Sequence, residues 1–504
     1  MNRNSLGREI PDGFYPYDGS EPAQARRPIA MKATPKAPIF LHTISDVFDA
    51  LDVKDGMTFS FHHHLREGDK VLNLVMAQAA VYGLKDLTIA PSSIFPCHQP
   101  LVPLLDSGVV TGIVTNYMNG PVADAVTAGK LQKPAVMDTH GGRARAIESG
   151  DLPIDVAFLA VPRVDAFGNG TGRFGKSACG SLGYLDPDLH YAKKVVFVTD
   201  ERVDELIKPD LDGRYVDYVV TIDSIGDRAG IVSGTTRITK EPVGLKIARD
   251  AAAVIDGVGL LKAGFSMQTG AGGTSLAVVA DIRKLMIERG IRARFASGGI
   301  TAQYVEMLEA GLVGALKDVQ DFDLDAVESL SRNPKHEAIT ASQYGNPRYR
   351  PAPLVDDLDF VVLGATEIDL DFNVNVTTDS EGKIIGGSGG HADTAHGAKV
   401  CVVVTNLVKA RLPIIMEKVT TVTTPGSDID VLVTERGIAV HPRRTDLFDR
   451  LRGSGLHILP IRELMDLAHA ITGIPVRPTQ TGRIVALIRY RDGSIIDVVR
   501  TKRP

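Results

Sequence analysis

The sequence predicts an α/β protein with largely parallel sheets, built from two related halves. Short strands rich in Val, Ile and Leu alternate with amphipathic, helix-like segments along most of the chain. This alternation is typical of parallel sheets covered by helices. The order of elements in the first half also recurs in the second half. Together these two observations favour two α/β domains over one large one.

The individual elements are read from short runs of sequence. AFLAV (157–161), KVVFVTD (194–200) and DYVVTID (217–223) predict buried strands, because each is a brief apolar run rich in β-branched residues. KVLNLVMAQAAVYG (70–83) and the longer segment at 245–264 predict helices, since their apolar residues recur with helical spacing.

The internal repeat predicts where the two halves meet. A helix-like segment precedes FSFHHHLREGD in the first half, and another precedes FSMQTGAGGTS in the second. Phe59 and Phe265 are separated by the same number of residues as Ala90 and Ala296 in the strands that follow. We expect an N-terminal arm over 1–38 and two domains over 39–240 and 241–504, with the histidine-rich turn and the glycine-rich turn flanking one site between them.

Composition excludes several classes of protein. The 504 residues are 44% apolar and 23% charged, with a net charge of −5, so nothing indicates a nucleic-acid partner and an anionic substrate would need local arginines. The three cysteines are far apart in the sequence and form no CxxC, which suits a reducing compartment. No segment reaches the ~20 apolar residues that span a bilayer. We therefore expect a cytoplasmic protein without a membrane contact.

QTGAGGTS (268–275) lies between a predicted strand and a predicted helix. Glycines at such a turn let a ligand approach the backbone, and the helix N-terminus offers N–H donors to an anion or an oxyanion. The segment matches neither the Walker nor the dinucleotide fingerprint, and a plain tight turn is the alternative. The candidate residues of this turn are Gln268, Thr269, Gly270, Ala271, Gly272 and Gly273.

IIGGSGGHADTAHGA (384–398) is a second glycine-rich segment. Its glycines predict a close approach of the backbone to a ligand, with a surface loop as the alternative. His391, Asp393 and His396 fit no zinc signature well, and we predict no metal. The candidate ligand-binding residues are Gly386, Gly387, Gly389 and Gly390.

FHHHLREGD (61–69) concentrates histidines beside an arginine. Neighbouring residues of a strand point to opposite faces, so three consecutive histidines rarely bind one metal ion. They could instead donate hydrogen bonds to substrate carboxylates together with an arginine, and a structural role is the alternative. The candidate substrate-binding residues are His62, His63, His64, Arg66 and, from the later segment HGGRARA, Arg143.

LDFVVLGATEIDLDFN (358–373) places Glu367 just after a predicted buried strand. A carboxylate at that place is either an anion paired with a nearby arginine or a group used in chemistry. We predict a catalytic role for Glu367, together with Gly272 and Gly273.

The ordered set of motifs resembles the CoA-transferase superfamily. The set is the glycine turn after an FS strand, Glu367 after a strand, GGSGGHADTAHGA, and then VLVTERGIAVHP (431–442). FHHHLREGD, HGGRARAIESGDLPIDVAFLA and GATEIDLDFNVNV are more narrowly similar to the alpha subunits of citrate lyases. The resemblance extends from about residue 35 to about residue 500.

The resemblance implies two related Rossmann-like CoA-transferase domains with the site between them. It implies a citrate CoA-transferase: citrate displaces acetate from an acetyl thioester carried by a small acyl carrier (gamma) subunit, and a beta subunit then cleaves the citryl thioester to oxaloacetate. No cofactor would be tightly bound, because the CoA-type thioester is a substrate. An assembly with several copies of the chain is expected. The resemblance to citrate lyase alpha subunits implies direct transfer, through a mixed acetic–citric anhydride, whereas a resemblance to most other CoA-transferases would imply a glutamyl thioester.

Other functions stay open at this stage. An acetate CoA-transferase or an acyl-CoA hydrolase would share the fold and the glycine motifs, and only the His- and Arg-rich first half favours citrate. A dinucleotide-dependent oxidoreductase would need a full fingerprint, which the sequence does not contain. A non-catalytic scaffold would have no use for glycine-rich turns and a strand-end glutamate, each of which costs stability.

Overall fold

The structure, a computed structural model, describes residues 2–19, 29–32, 37–232, 238–476 and 480–502. Within the predicted arm, residues 1, 20–28 and 33–36 lie outside the described residues. The described residues 2–19 form a short hairpin whose chain continues against the last strand of the protein, where the Tyr17 N–H donates to the Ile495 carbonyl at 3.0 Å. This part of the arm therefore packs on the body of the protein.

The first half alternates strands and helices as predicted. Its strands are β1 (Asn2–Arg3), β2 (Glu9–Ile10), β3 (Ile39–Leu41), β4 (Thr58–Phe61), β5 (Leu87–Pro91), β6 (Val110–Thr115), β7 (Ala135–Met137), β8 (Val156–Ala160), β9 (Arg163–Val164), β10 (Gly170–Thr171), β11 (Lys194–Thr199) and β12 (Tyr218–Thr221). Its helices are α1 (Ile44–Leu51), α2 (Val71–Val81), α3 (Val102–Asp106), α4 (Pro121–Thr127), α5 (His140–Glu148) and α6 (Asp186–Tyr191).

The second half begins with a long helix and follows the same alternation. Its helices are α7 (Pro242–Gly257), α8 (Gly273–Arg289), α9 (Ala302–Glu309), α10 (Leu324–Arg332), α11 (Ala341–Gly345), α12 (His391–Gly397), α13 (Thr445–Leu451) and α14 (Ile461–Thr472). Its strands are β13 (Ser266–Thr269), β14 (Ala293–Ile300), β15 (Val313–Asp321), β16 (His336–Ala338), β17 (Phe360–Gly364), β18 (Glu367–Asp369), β19 (Val374–Asn375), β20 (Val400–Val404), β21 (Val408–Lys409), β22 (Leu412–Pro413), β23 (Ile415–Met416), β24 (Val431–Thr434), β25 (Gly437–Val440), β26 (Ile484–Arg489) and β27 (Ile495–Arg500).

Two large sheets carry the fold, and both are mostly parallel. The first has ten strands in the order β27-β26-β7-β6-β5-β4-β8-β11-β12-β3, and the second has eight in the order β16-β15-β14-β13-β17-β20-β24-β25. In each sheet the only antiparallel pair described is at one edge, β26 with β27 and β24 with β25. The predicted mostly parallel α/β class is confirmed.

The repeat seen in the sequence corresponds to equivalent strands. Strand β4 pairs in parallel with β5, and β13 pairs in parallel with β14. Ser60 lies opposite Ala90 in the first sheet, and Met267 lies opposite Ala296 in the second. The strands that precede the histidine-rich turn and the glycine-rich turn are therefore topological counterparts.

The last two strands belong to the first sheet. Strand β26 pairs in parallel with β7, although more than three hundred residues separate them in the sequence. The predicted boundary near residue 240 stays a prediction, but residues 484–500 complete the sheet of the first half. No local pattern could show this, since strand pairing over such a distance is a tertiary choice. In the described part of the chain no helix has the length and apolar character needed to cross a membrane.

Candidate active site

A cavity of about 400 Å³ lies between the two halves, where the carboxyl ends of both parallel sheets meet. Ligands of α/β proteins bind at this edge, because the loops after parallel strands converge there. Its described walls are His63, Arg66, Ser93, Phe95, Tyr117, His140, Tyr184, Gln268, Thr269, Gly270, Ala271, Gly272, Gly299, Val319, Gln320, Phe322, Tyr344, Leu363, Gly364, Ala365, Thr366, Val376, Gly387, Ser388, Gly389, Gly390, His391 and Thr394.

The glycine turn forms one wall of this cavity. Gly272 is the N-cap of α8, a helix of 17 residues, and has φ −69° and ψ 141°. The first N–H groups of a helix have no partner within the helix, and its N-terminus favours negative charge. Residues 268–272 line the cavity, whereas Gly273 is the first helical residue and does not. The predicted thioester-binding and catalytic roles of this turn stay predictions. The Gly270 N–H already donates to the Val362 carbonyl at 2.8 Å.

The side chain of Gln268 is fixed from two sides. Ser297 Oγ donates to Gln268 Oε1 at 2.9 Å, and Gln268 Nε2 donates to the Tyr344 hydroxyl at 2.7 Å. Gly298 makes room for this arrangement: it has φ +102°, and a Cβ there would lie 2.6 Å from the Gln268 amide. The register between β14 and β15 shifts at Gly298 and Gly299, and the absence of a Cβ at these two positions leaves room for the side chains of Gln268 and Phe322.

His63 enters the cavity from the first half. Its Nε2–H donates to Gln320 Oε1 of the second half at 3.0 Å, and Ser92 Oγ donates to its Nδ1 at 2.6 Å. Both ring nitrogens are thus used, and the ring stacks on Tyr184 with centroids 4.9 Å apart. His63 joins the two sheets and at the same time forms part of the cavity wall.

Arg66 is the one permanently charged side chain among the described residues that line the cavity. Its backbone has φ +51°, a left-handed conformation that costs a non-glycine residue about 1–3 kcal/mol. Two backbone hydrogen bonds stabilise the turn. The Arg66 N–H donates to the His63 carbonyl at 3.0 Å, and the Asp69 N–H donates to the Arg66 carbonyl at 3.2 Å. Burial lowers the pKa of Arg66, yet a guanidinium stays charged at neutral pH.

Three of the predicted substrate-binding residues do not line the cavity. His62 accepts from the Ala160 N–H at 2.9 Å, and its Nδ1 shares a short hydrogen bond with Nδ1 of His64. Arg143 donates to Asp188 at 3.0 Å and to Ser60 Oγ at 2.6 Å. Sequence reasoning grouped all three with Arg66 as possible partners of a carboxylate. In the structure His62 and His64 are hydrogen-bonded to each other, and Arg143 is held in a buried ion pair with Asp188.

The histidines around the cavity are neutral. Burial lowers the pKa of His140 to about 3 and that of His391 to about 4, and it holds the pKa of His63 well below its ordinary value. Asn116 Nδ2 donates to Nδ1 of His140 at 3.1 Å, which leaves the ring proton on Nε2. These rings therefore act as hydrogen-bond donors or acceptors near neutral pH and add no positive charge beside Arg66.

The second glycine-rich segment forms the opposite wall. Gly387, Gly389 and Gly390 line the cavity, whereas Gly386 lies behind it and bonds to Thr377 and Met118 through its backbone. Binding of a thioester by these glycines stays a prediction. A Cβ at Gly387 would lie 2.4 Å from the Asn116 carbonyl, and one at Gly390 would lie 2.4 Å from the Tyr344 hydroxyl. Close packing between the halves leaves no room for a side chain at Gly387, and close packing within the second half leaves none at Gly390.

Asp393 anchors this segment to α5 of the first half. Its carboxylate accepts from the Gly141 N–H and from Thr139 Oγ1, each at 2.8 Å. Burial raises the pKa of Asp393 to about 6. Asp393 of the HADTAH motif is thus a structural anion. His391 of the same motif lines the cavity, and its Nε2–H donates to the Gly364 carbonyl at 3.0 Å.

Glu367 lies one residue beyond the cavity wall. Thr366 lines the cavity, but the Glu367 carboxylate is 2% exposed and is turned into the small sheet formed by β19, β18 and β23. It accepts from Asn375 Nδ2 at 3.0 Å, from the Thr420 N–H at 2.8 Å and from Thr420 Oγ1 at 3.2 Å. The catalytic role stays a prediction, and these contacts give the carboxylate a structural role as well.

One group among the described residues has the composition of a metal site. One possible ligand atom from each of Asp318, Asp321 and His336 lies within 4.8 Å of the others, behind the wall at the end of β15. His336 Nε2 already donates to Asp318 at 3.1 Å, and the Ser181 N–H donates to Asp321 at 2.7 Å. Burial raises the pKa of Asp318 to about 7.

Several wall residues had no signal in the sequence. Tyr117, Tyr184 and Tyr344, for example, are isolated tyrosines on three separate elements of two halves. His140 and His391 lie inside motifs that the sequence does single out, and a rule that takes every histidine of a glycine-flanked motif would have found them. The tyrosines are brought together by the approach of the two sheets alone.

Comparisons with known proteins agree with this geometry. The family described as citrate lyase, alpha subunit (CitF), matches residues 40–502. The chain is 44% identical to the citrate lyase alpha chain of Klebsiella pneumoniae over 493 residues, which cover 97% of this chain and 96% of that one. It is 49% identical to the citrate lyase alpha chain of Escherichia coli K12 over 448 residues, 89% of this chain and 88% of the relative.

A solved structure has the same fold. It is described as the alpha subunit of citrate lyase in complex with citrate, from Streptococcus mutans. The two structures superpose with a TM-score of 0.94 at 45% sequence identity, and the match covers 99% of both chains.

Proposed function

The chain belongs to the citrate lyase alpha subunit family, and we propose that it transfers the thioester of an acetyl-loaded carrier protein to citrate and releases acetate. One observation carries the proposal. The cavity between the sheets has a single guanidinium, Arg66, on one wall and the N-terminus of α8 on another, and none of its described lining residues is acidic. That combination suits a carboxylate-rich substrate beside a thioester carbonyl.

In the proposed reaction a citrate carboxylate attacks the carbonyl carbon of the acetyl thioester. The carbon–sulfur bond breaks, the carrier thiolate leaves, and a mixed acetic–citric anhydride forms. The thiolate then attacks the citryl carbonyl of the anhydride, which gives the citryl thioester and acetate. The nucleophiles are already anions, so no strong base is needed, and this agrees with the neutral histidines of the cavity.

The chain's own groups bind and orient. Arg66 would pair with a citrate carboxylate, and the His63, His140 and tyrosine side chains would offer neutral hydrogen bonds to the others. N–H groups at the start of α8 would stabilise the oxyanion of each tetrahedral intermediate. Neutral hydrogen-bond donors suit this role. Several fixed cations would bind citrate itself more tightly, and tight binding of the substrate alone does not speed its transfer.

The proposed partners follow from the same chemistry. The thioester arrives on an acyl carrier (gamma) subunit, and the citryl product passes to a beta subunit that cleaves it. An assembly with several copies of this chain and a location in the cytoplasm complete the proposal. The three cysteines described in the structure form no disulfide, which is consistent with a reducing compartment.

The test is a two-substrate assay with the purified chain. We expect citrate and acetyl-CoA, or the acetylated carrier, to give citryl thioester and acetate, both detected by mass spectrometry. Isotope-labelled acetate supplied without citrate separates the alternatives. Rapid exchange of label into acetyl-CoA without citrate turnover would indicate an acetate CoA-transferase, and net loss of thioester in buffer alone would indicate a hydrolase.

A further inference from the structure

The Arg66 side chain lies between two aromatic rings, one from each half of the protein. Its guanidinium carbon is 5.0 Å from the centre of the Phe95 ring and 5.2 Å from the centre of the Phe322 ring. Phe95 follows β5 in the first sheet, and Phe322 follows β15 in the second. Both distances are within the range of cation–π contacts.

The position of Phe322 depends on a glycine. A Cβ at Gly299 would lie 2.1 Å from Cε2 and 2.2 Å from Cζ of the Phe322 ring. The ring therefore lies directly on the backbone at the end of β14, where only glycine leaves room for it. The Phe322 N–H donates to the Ile300 carbonyl at 2.8 Å and fixes the residue on the same strand end.

The orientation of the Arg66 guanidinium depends on these aromatic contacts more than that of an exposed arginine would. Its side chain is 8% exposed, and its backbone has the left-handed φ of +51° described above. A long side chain with a desolvated head loses much of its binding strength when it can adopt several rotamers. Two rings within cation–π distance restrict the rotamers of this side chain, which also lines the cavity.

We propose that Phe322, seated on Gly299, is a positioning residue that holds Arg66 in the orientation that recognises a substrate carboxylate. Phe95 contributes the second aromatic contact, from the first half. Because the two rings come from different sheets, the orientation of the guanidinium depends on the correct approach of the halves. Substrate affinity and the fit between the halves are thereby coupled through one side chain. This inference rests on the proposed function, since it names the group that controls its substrate affinity.

The experiment measures citrate and thioester separately. Citrate binding to the full chain is titrated by calorimetry without any thioester, and KM is determined for both substrates. We expect Phe322→Leu to weaken citrate binding by about tenfold, the range of a desolvated cation–π contact, with little change in kcat or in the KM for acetyl-CoA. Gly299→Ala should act in the same direction, because it displaces the ring, and Phe322→Tyr should restore citrate affinity.

A matched control lies elsewhere in the first half. Arg202 stacks on Phe40 at 4.1 Å, and neither residue lines the cavity. Phe40→Leu should leave citrate affinity unchanged. Equal effects of Phe322→Leu on both substrates, or wild-type citrate affinity in that variant, would overturn the inference while leaving the proposed function in place. A wild-type chain that binds no citrate would overturn both.

Discussion

Gln320 and His63 form a two-point contact across the interface of the two sheets. The His63 ring donates through Nε2 to Gln320 Oε1 at 3.0 Å, and Gln320 Nε2 donates back to the His63 carbonyl at 3.2 Å. Both residues are almost fully buried and both line the cavity. The contact fixes a wall histidine of the first half to the end of β15 in the second half, so the shape of the cavity depends on it.

The first prediction concerns this contact. Gln320→Leu removes both hydrogen bonds and leaves buried polar groups on His63, which costs about 1–3 kcal/mol. We expect a lower free energy of unfolding in urea together with slower citrate transfer. Gln99→Leu, at an exposed position away from the cavity, should change neither quantity. Wild-type stability and turnover in Gln320→Leu would show that the contact holds nothing in place.

The second prediction separates two arginines that look alike in the sequence. Arg66→Met should weaken citrate binding by about 10- to 100-fold, the value of a hydrogen-bonded charge, and leave the KM for acetyl-CoA nearly unchanged. Arg143→Met should instead lower stability by about 3–5 kcal/mol, because it leaves Asp188 buried and uncompensated. Calorimetric titration with citrate and urea unfolding distinguish the two. The reverse pattern would make Arg143 the substrate ligand.

The third prediction uses the ordinary backbone of Gly272. Its φ of −69° suits any residue, and a Cβ there would meet only Ser275 Oγ at 3.8 Å. Gly272→Val should therefore fold normally, yet its side chain would project at the cavity wall and displace a bound thioester. We expect transfer from acetyl-CoA to fall by about a hundredfold. Gly272→Ala should give a smaller loss, and the absence of any loss in both variants would exclude a thioester site at this turn.

The fourth prediction concerns Glu367 and the route of transfer. In Glu367→Gln the amide oxygen can accept from Asn375 and the Thr420 N–H, while its NH₂ donates to Thr420 Oγ1, so we expect the fold to persist. If the carboxylate is catalytic, transfer should fall in this folded variant, and unchanged transfer would leave Glu367 a structural role alone. Glu367→Ala should lose stability and transfer together, since buried donors are left without an acceptor.

Borohydride treatment during turnover checks the chemistry directly. A glutamyl thioester would be reduced to an alcohol and the enzyme irreversibly inactivated. We expect the chain to resist borohydride, as direct transfer through an anhydride requires. Inactivation with Glu367 modified would instead assign the residue a nucleophilic role.

The fifth prediction is a pH dependence of stability. Burial lowers the pKa of His64 to about 3 from an ordinary 6.5. Between these two pH values the ring is protonated in the unfolded chain and neutral in the folded chain. Stability contributed by the neutral ring is present above pH 6.5 and is lost as pH falls toward 3. Between pH 6.5 and 5 this one histidine should cost about 2 kcal/mol of stability.

His64→Asn provides the comparison. The variant cannot take up that proton, so its free energy of unfolding should fall less steeply between pH 6.5 and 5 than that of the wild type. Urea unfolding at several pH values measures both slopes. Parallel slopes would mean that His64 titrates normally in the folded protein.

Much of the fold follows from local sequence. KVVFVTD predicts β11 and KVLNLVMAQAAVYG predicts α2, because hydrophobic periodicity reports directly on which face of an element is buried. The glycine turn at 268–272 and the loop at 387–390 were also found as cavity walls, since glycine clusters at strand ends reflect close backbone approach wherever they occur.

The rest was decided by tertiary structure. The sequence placed Arg66 and Arg143 in equivalent roles and could not tell a cavity wall from a buried ion pair, because that difference depends on what packs against each side chain. The sequence did not indicate that Phe322 contacts Arg66, since that contact joins the two halves of the chain. It did not indicate that Tyr344 contacts Gln268 either, since these two residues of the second half are 76 positions apart. Periodicity determines the elements and the strand ends that carry function. The orientation of each side chain there is determined by the approach of the two sheets, which no short stretch of sequence encodes.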